Sequence, residues 1–385
     1  MRRAFVNGRI HAADTFLARR ALLVEGERIA AIVPEDDARL AGAERHDLGG
    51  RLLLPGFIDT QVNGGGGVLF NDAPTVEGIR AIAAAHARFG TTGFLPTLIS
   101  DELEVVERGI AAVDAAIAAG VPGVLGIHLE GPYLGGARPG VHDASHFRAL
   151  DAAAVPRLAA LRHGRTLVTL APEATTPELL ARLAAAGVIL AAGHTDATAA
   201  QVEAALAHGL RGFTHLFNAM SPLTSREPGV VGAALADDTA WCGIIVDGRH
   251  VDPRVLRLAL KARRHDRFML VTDAMPAVGT GLRSFRLQGR TIRVEEDCCV
   301  DENGTLAGTV LDMSRALRNA VALLGLAPAA AVRMASEYPA AFLGLGGTHG
   351  RLAPGMRADL LIADDALHVH ETWIGGQRIA TATGA

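Results

Sequence analysis

The chain has 385 residues, of which 49% are hydrophobic and 20% are charged, a composition that supports a large buried core and excludes a disordered protein. The formal net charge of -4 provides no strong electrostatic field, so we expect neither a nucleic-acid partner nor a membrane partner. No stretch reaches the ~18 consecutive apolar residues of a membrane-spanning helix, and we expect no signal peptide in the first residues.

The N-terminal segment, residues 1–51, is patterned as short strands, such as ALLVEGERIAAIV with a turn at Glu25-Gly26. No helix of ordinary length fits this pattern. Residues 347–385 have a similar pattern, in which short apolar runs are separated by Gly and Asp turns. We therefore predict that the two ends of the chain together form one small β domain of the sandwich type.

Between these ends, residues 52–346 alternate apolar strand runs with alanine-rich helical stretches. The run GFIDTQVN, for example, precedes the helical pattern VEGIRAIAAAHARFG. About eight such units in succession predict an α/β fold, a (β/α)8 TIM barrel, whose active site lies at the carboxyl ends of the strands. A stretch near residues 283–306 is predicted to be a β insertion, because its strand patterns are separated by turns at Gly289 and Asn303-Gly304.

Four side chains suited to metal binding or acid–base chemistry stand at the ends of apolar runs. Glu130 ends GIHLE, His194 follows LAAG, His215 follows GFT and Asp273 follows MLVT. A catalytic zinc site needs about three protein ligands and one open position, which Glu130, His194 and His215 satisfy. We predict one divalent metal ion per chain, with zinc favoured over iron, cobalt and manganese. Asp273 is then expected to act as general base in a metal-assisted hydrolysis.

The three cysteines, Cys242, Cys298 and Cys299, do not form a disulfide pattern, because their number is odd and two of them are adjacent. None has the Cys-x-x-Cys spacing of a thiolate zinc cluster. We therefore expect a reducing compartment and a cytoplasmic location.

The ordered motifs GIHLEGPY, AGHTDAT, THLFNAM and VTDA resemble those of the amidohydrolase superfamily, and within it those of enzymes that deacetylate amino-sugar phosphates. The segments PGFIDTQVNGGGG, RPGVHD, REPGVVG, VDGRHV and LAGTVLDMSRALRN extend this resemblance over nearly the whole chain. The resemblance implies deacetylation of N-acetyl-D-glucosamine 6-phosphate to D-glucosamine 6-phosphate and acetate by a homodimer. The epimeric N-acetylgalactosamine 6-phosphate remains an alternative substrate, because the motifs of the two activities look alike.

The resemblance also implies roles for individual residues. Asp273 matches the catalytic acid of the family, and His250 matches a histidine that polarises the substrate carbonyl. The alternatives remain that Asp273 only caps the following segment and that His250 has no role. Arg226 is expected to bind the phosphate, in related proteins across a dimer interface. The other predicted substrate-binding residues are Gln61, His142, Asn218, Ala219, Leu306, Ala307 and Gly308.

The first strand run differs from the pattern of many amidohydrolases. Where those proteins have His-x-His for a second metal, this chain has Gln61 and Asn63. Carboxamides are weak neutral ligands, so we expect a mononuclear site. Gln61 is expected to hydrogen-bond a neighbouring ligand or the attacking water, although a purely structural role at the barrel mouth is equally open. We interpret the run Gly64–Gly67 as a flexible turn, because it lacks the Lys-Ser/Thr ending of a P-loop.

Three other functions fit part of the pattern. A cyclic-amide hydrolase or a base deaminase usually has a first-strand His-x-His or a bridging lysine, which this chain lacks. An iron oxygenase also uses two histidines and one carboxylate, but it has no need for Asp273. A non-catalytic interaction protein on the same barrel would be expected to have lost a metal ligand or Asp273, and all are present.

Overall fold

The computed structural model describes residues 2–296 and 298–381, and its N-terminal part is a series of short strands. These strands are β1 (Arg2–Val6), β2 (Arg9–Ala12), β3 (Thr15–Ala18), β4 (Arg20–Glu25), β5 (Arg28–Pro34), β6 (Glu44–Asp47) and β7 (Leu52–Pro55).

The middle of the chain alternates strands with helices. Its strands are β8 (Phe57–Val62), β9 (Gly64–Gly65), β10 (Val68–Leu69), β11 (Thr91–Ile99), β12 (Gly126–Glu130), β13 (Arg165–Leu170), β14 (Ile189–Ala192), β15 (Leu210–Phe213), β16 (Trp241–Ile244) and β17 (Phe268–Leu270). Its helices are α1 (Val76–Ala87), α2 (Leu103–Ala118), α3 (Ala154–Leu158), α4 (Pro177–Ala185), α5 (Ala199–Ala207), α6 (Gly229–Ala236) and α7 (Pro253–Ala262).

The last part begins with four strands, continues with three helices and ends with three further strands. These elements are β18 (Ser284–Leu287), β19 (Arg290–Glu295), β20 (Cys298–Val300), β21 (Leu306–Thr309), α8 (Met313–Leu324), α9 (Pro328–Ala335), α10 (Glu337–Phe342), β22 (Leu360–Ala363), β23 (Val369–Ile374) and β24 (Gln377–Thr381). None of the helices in residues 2–296 and 298–381 is both long enough and apolar enough to cross a membrane.

Eight parallel strands, β8 and β11 to β17, form one sheet in the order of the sequence. A parallel bridge between Val62 and Ala274 joins the two ends of this sheet. Hydrogen bonds from the Asp273 amide to the Gln61 carbonyl and from the Asn63 amide to the Ala274 carbonyl reinforce the bridge. The predicted TIM barrel is confirmed. Its strands are covered on both faces, and their sequences are therefore continuous apolar runs. In β11, for example, all 9 residues are buried.

Local capping signals set several helix boundaries around the barrel. Thr198 and Gln201 form a capping box at the start of α5, so their side chains satisfy amides of the first turn. Asp252 caps α7 immediately before Pro253, whose fixed φ suits the first helical position. Helix α8 ends at Gly325, which has a left-handed φ of 73°.

The two ends of the chain contribute two further sheets. One has the order β5-β4-β1-β6, and the other, β24-β23-β22-β7-β2-β3, combines strands from both termini. Side chains from both sheets share a core that includes Phe5, Leu22, Leu53, Ile362 and Trp373. The two sheets therefore form the predicted small β-sandwich. The domain boundaries expected after residue 51 and before residue 347 stay a prediction.

Strands β18 to β21 form an antiparallel sheet, here called the inserted sheet, between β17 and α8. Its buried side chains Leu287, Ile292 and Cys299 share a cluster with Ile99 and Met275 at the ends of barrel strands. Apolar packing therefore holds the inserted sheet against the mouth of the barrel.

The glycine run forms a tight hairpin, which corrects its interpretation as a flexible turn. Strands β9 and β10 pair within it, and the amides of Gly64, Gly66 and Gly67 donate to carbonyls of residues 274–278. A Cβ atom at Gly64 would lie 2.4 Å from the Val68 carbonyl oxygen, so only glycine fits there. These three amides are engaged by the main chain and do not form a phosphate cradle.

Candidate active site

The four strand-end residues expected to carry the chemistry lie together at the carboxyl end of the barrel. Glu130 is the last residue of β12, whereas His194, His215 and Asp273 follow the ends of β14, β15 and β17. The last three have positive φ angles of 49°, 32° and 52°. A left-handed conformation costs a non-glycine residue about 1–2 kcal/mol and is found preferentially at functional sites.

Glu130, His194 and His215 form a compact buried group. The Nε2 atoms of His215 and His194 lie 2.9 Å and 3.3 Å from Glu130 Oε1, and 3.1 Å from each other. Burial alone would raise the pKa of Glu130, but the two facing histidines outweigh it and hold that pKa well below its ordinary value. Glu130 is therefore an ionised carboxylate facing two imidazole nitrogens.

This group has the donor set of a metal site. His194 Nδ1 is 3.1 Å from the Arg138 carbonyl oxygen, which can only accept, so Nδ1 carries the ring proton and Nε2 presents a lone pair. That lone pair faces His215 Nε2 and the Glu130 carboxylate. A cation among the three groups satisfies all of them, and their ligand atoms lie within 4.8 Å of one another. The three residues can hold one divalent ion, and zinc, iron, cobalt and manganese all accept such ligands.

Gln61 and Asn63 act as hydrogen-bond donors to the two acids. Gln61 Nε2 lies 3.1 Å and 3.2 Å from the Glu130 carboxylate oxygens and 3.2 Å from Asp273 Oδ1. Asn63 Nδ2 lies 2.6 Å from the same Asp273 oxygen. Sequence reasoning treated Asn63 only as a missing metal ligand and did not identify it as a donor.

Asp273 has the electrostatic character of an acid–base group. Burial raises the pKa of its carboxyl, and the negative charge of Glu130 raises it further. The facing histidines and the Asn63 donor lower this pKa without reversing the net shift. A raised pKa brings proton uptake and release closer to neutral pH, as a general base that later acts as an acid requires.

His250 is oriented by an aspartate that sequence reasoning missed. Its Nδ1 lies 2.6 Å from Asp247 Oδ2, and its amide donates to Asp247 Oδ1 at 2.9 Å. Burial raises the pKa of Asp247, but the hydrogen bond and charge of His250 lower it overall, so the aspartate accepts from Nδ1. The spacing Asp-x-x-His in DGRH was the available signal, because a turn brings such side chains together.

His142 packs against the Glu130–His194–His215 group, with its ring centroid 4.3 Å from that of His194. The Ser100 amide and hydroxyl lie 3.3 Å and 2.9 Å from His142 Nδ1. Because an amide can only donate, Nδ1 is an acceptor and Nε2 carries the ring proton. Burial lowers the pKa of His142 well below its ordinary value, so the ring is neutral.

A cavity of about 560 Å³ opens over this group, a volume typical of small-molecule sites. Gln61 is absent from its lining and touches the site through Glu130 and Asp273. Arg226 is exposed on the loop before α6 and does not line the cavity. The predicted site residues that do line it are Glu130, His142, His194, His215, Asn218, Ala219, His250, Asp273, Leu306, Ala307 and Gly308.

Proteins of known sequence and structure resemble the chain over most of its length. An N-acetylgalactosamine-6-phosphate deacetylase of Shewanella sp. (strain ANA-3) is 45% identical, covering 86% of this chain and 84% of the relative. The crystal structure of N-acetylglucosamine-6-phosphate deacetylase from Pasteurella multocida is 35% identical, with a TM-score of 0.95 over 98% of this chain and 99% of that one.

A mutant N-acetyl-D-glucosamine-6-phosphate deacetylase from Mycobacterium smegmatis, solved in complex with N-acetyl-D-glucosamine-6-phosphate, is 34% identical. Its TM-score is 0.91, over 99% of this chain and 100% of that one. The amidohydrolase family pattern matches residues 52–379, which include the whole barrel and every residue of the candidate site. The chain therefore belongs to the amidohydrolase family.

Proposed function

We propose that the protein is a metal-dependent deacetylase that hydrolyses N-acetyl-D-glucosamine 6-phosphate to D-glucosamine 6-phosphate and acetate. The observation that carries this proposal is the meeting of a Glu130–His194–His215 group with Asp273 in one cavity. The substrate named for the Pasteurella and Mycobacterium enzymes supports it, because both share the fold along almost the entire chain.

In this proposal Asp273 moves the protons of the reaction. A bound divalent metal would polarise the acetamido carbonyl and make water a stronger acid. Asp273 accepts a proton from water as the water oxygen bonds to the carbonyl carbon. It then donates a proton to the sugar nitrogen as the carbon–nitrogen bond breaks, which releases acetate and the amine.

His250 is proposed to stabilise the charge that develops on the carbonyl oxygen. Its Nδ1 proton is held by Asp247, which fixes the orientation of the ring. The ring lines the cavity, and its doubly protonated form would donate from Nε2 to the substrate oxygen.

The sugar and its phosphate are proposed to bind in the remainder of the cavity. His142 offers its Nε2 proton, Asn218 its carboxamide, and Ala219 and residues 306–308 line the walls. Arg226 lies outside this lining, so a role in phosphate binding requires that it come from a second protomer. We therefore propose a homodimer in which the Arg226 loop of each protomer completes the site of the other.

N-acetylgalactosamine 6-phosphate is a second candidate substrate. The Shewanella relative named for this sugar is 45% identical to the chain, against 35% for the Pasteurella enzyme. The two sugars differ only in the configuration at C4, which is remote from the acetamido group that Asp273 would face. The same catalytic residues therefore serve either sugar, and the walls of the cavity decide between them.

A cytoplasmic location is part of the proposal. It is supported by Cys242, Cys298 and Cys299, which are buried thiols that form no disulfide within residues 2–296 and 298–381.

The experiment that tests the function measures acetate release from both 6-phosphorylated sugars by purified protein, together with metal analysis. We expect turnover of at least one sugar and one tightly held divalent ion per chain. The kcat/KM ratio between the two sugars identifies the preferred epimer. Release of acetate from neither sugar by metal-loaded protein would reject the proposed reaction, and two tightly held ions would reject the mononuclear site.

A further inference from the structure

The first turn of the inserted sheet contains an unusual residue. Leu287 pairs with Arg290 across the hairpin of β18 and β19, which leaves Gln288 and Gly289 as a two-residue turn. Both have positive φ angles, 46° and 82°, as a type I′ turn requires. Asn, Asp or Gly is the usual residue at the first of these positions, so a glutamine there points to a use for its longer side chain.

Both polar atoms of the Gln288 carboxamide bind the rim of the cavity, by which we mean Ser100 and Asp143, the residues that directly follow the lining residues Ile99 and His142. Gln288 Nε2 donates to the carbonyl oxygen of Ser100, the residue after β11, and the Asp143 amide donates to Gln288 Oε1 at 3.0 Å. These partners lie 188 and 145 residues away along the chain. The preceding Leu287 is buried and lines the cavity, so the turn is also seated by apolar contact.

Of the two rim residues that Gln288 binds, one contacts the His142 ring and the other follows His142 in the chain. Ser100 donates its amide to His142 Nδ1, and its hydroxyl lies 2.9 Å from the same nitrogen. Asp143 is the next residue in the chain after His142. Gln288 therefore binds both the residue that contacts His142 Nδ1 and the residue that follows His142. The His142 ring lines the cavity and directs its Nε2 proton away from Ser100.

We propose that Gln288 is a positioning residue for substrate binding, which ties the inserted sheet to the cavity rim and fixes His142 through Ser100 and Asp143. The role in turnover rests on the proposed deacetylase function. The two hydrogen bonds of Gln288 to Ser100 and Asp143 are present in the protein without substrate.

The test compares Gln288→Asn and Gln288→Gly with the wild type. Both replacements suit a left-handed turn, so the hairpin is retained, whereas neither can bridge Ser100 and Asp143. We expect a KM for the better 6-phosphate sugar roughly tenfold higher with kcat changed by less than about threefold, because the contact positions substrate rather than the reacting groups. Hydrogen exchange at the Asp143 amide, measured without substrate, should be at least about tenfold faster.

Arg286→Ala is the matched control, because Arg286 lies in the same hairpin and its side chain bonds Thr291 and Gly289 of that hairpin. It should leave both KM and Asp143 exchange at wild-type values. Gln288→Asn with unchanged KM and unchanged exchange would overturn the proposal, as would equal changes in the control. Exchange that accelerates while KM stays constant would overturn the positioning role. If the wild type hydrolyses neither sugar, the proposed function and this role in turnover both fail, whereas the exchange measurement still decides whether Gln288 ties the rim.

Discussion

The two oxygens of Asp273 have different surroundings. Asn63 and Gln61 both donate to Oδ1, at 2.6 Å and 3.2 Å. Within the part of the chain that the structure describes, no hydrogen bond to Oδ2 is found. Donors fixed to one oxygen set the plane of the carboxylate, and Oδ2 is then the atom available for proton transfer.

Asp273→Asn should retain the metal and substrate affinity but lose nearly all turnover. The asparagine has similar size, but its carboxamide does not accept the proton of the attacking water at neutral pH. We expect kcat to fall by about 10²–10⁴-fold. Acetate release and metal content measured on the same preparation check this expectation, and a wild-type kcat would exclude Asp273 as the base.

Asn63→Ala should lower kcat by about 10–100-fold, with little change in KM or in metal content. The replacement removes the donor that orients Asp273 but none of the metal ligands, and partners that orient a reacting group typically contribute effects of this size. Steady-state kinetics with parallel metal analysis is the measurement. Loss of the metal, or a kcat equal to that of the wild type, would contradict an orienting role.

The grouping of the candidate ligands at this site could be predicted from the sequence, but the residues that orient them could not. Glu130, His194 and His215 stand at the ends of apolar strand runs, and parallel strands place those ends together. The carbonyl of Arg138 reaches His194 only because a loop folds back over 56 residues. Contacts of this kind depend on loop conformation, which hydrophobic periodicity does not encode.

At the level of elements, the barrel strands could be predicted from the sequence. The pairing of strands that are far apart in the chain could not. Strand β11 is buried throughout and appears as an unbroken apolar run. Strand β7, in contrast, pairs with β22 although about 300 residues separate them, with Leu54 opposite Leu361. The similar pattern of the two termini predicted a joint domain, but register depends on side-chain packing that only the folded core defines.

Asp359, the residue that precedes β22, provides a test of how the stability of the fold depends on pH. Burial raises the pKa of Asp359 to about 6, while the Gly375 amide and Arg357 lower it in part. A raised pKa means that the folded chain binds this proton more tightly than the unfolded chain does. The group therefore favours the fold below its unfolded pKa of about 4, and this contribution is lost as the pH rises through 6.

Asp359→Asn should raise the melting temperature by a few degrees at pH 8 and change it little near pH 4. Above pH 6 the wild type carries a buried charge that costs on the order of 2–3 kcal/mol, and the variant does not. Asparagine still accepts the Gly375 amide, which lies 2.8 Å from Asp359 Oδ1. Thermal unfolding from pH 4 to pH 8 measures the difference; a variant less stable at pH 8 would show that pairing with Arg357 dominates.

At the scale of the whole molecule, the composition and the strand–helix alternation were sufficient to predict the barrel, whereas the oligomeric state was not accessible to the same reasoning. Arg226 shows why. It lies on an exposed loop outside the cavity lining of its own chain. Whether a second copy makes it part of a site depends on the complementarity of two surfaces, and residue patterns along one chain do not contain that information.

Arg226→Ala should raise KM for the 6-phosphate sugar far more than for the unphosphorylated sugar, because a charge-assisted pair to phosphate is lost. If Arg226 acts across an interface, mixing Arg226→Ala chains with Asp273→Asn chains should restore part of the activity. In such a hybrid, one of the two sites has both Arg226 and Asp273. Equal effects on the two sugars would assign Arg226 a structural role, and failure of mixed chains to recover activity would place it within its own subunit.

The bridge between Val62 and Ala274 divides the assembly of the site into an early and a late event. The proposed metal ligands follow or end β12, β14 and β15, which lie in the middle of the sheet, whereas Asn63 and Asp273 come from its two edges and are 210 residues apart. We expect a refolding chain to gain metal affinity while the barrel is still an open arc, because closing the longest loop costs the most entropy. Metal uptake should precede the first acetate release during refolding, and the lag between them measures how long the barrel stays open.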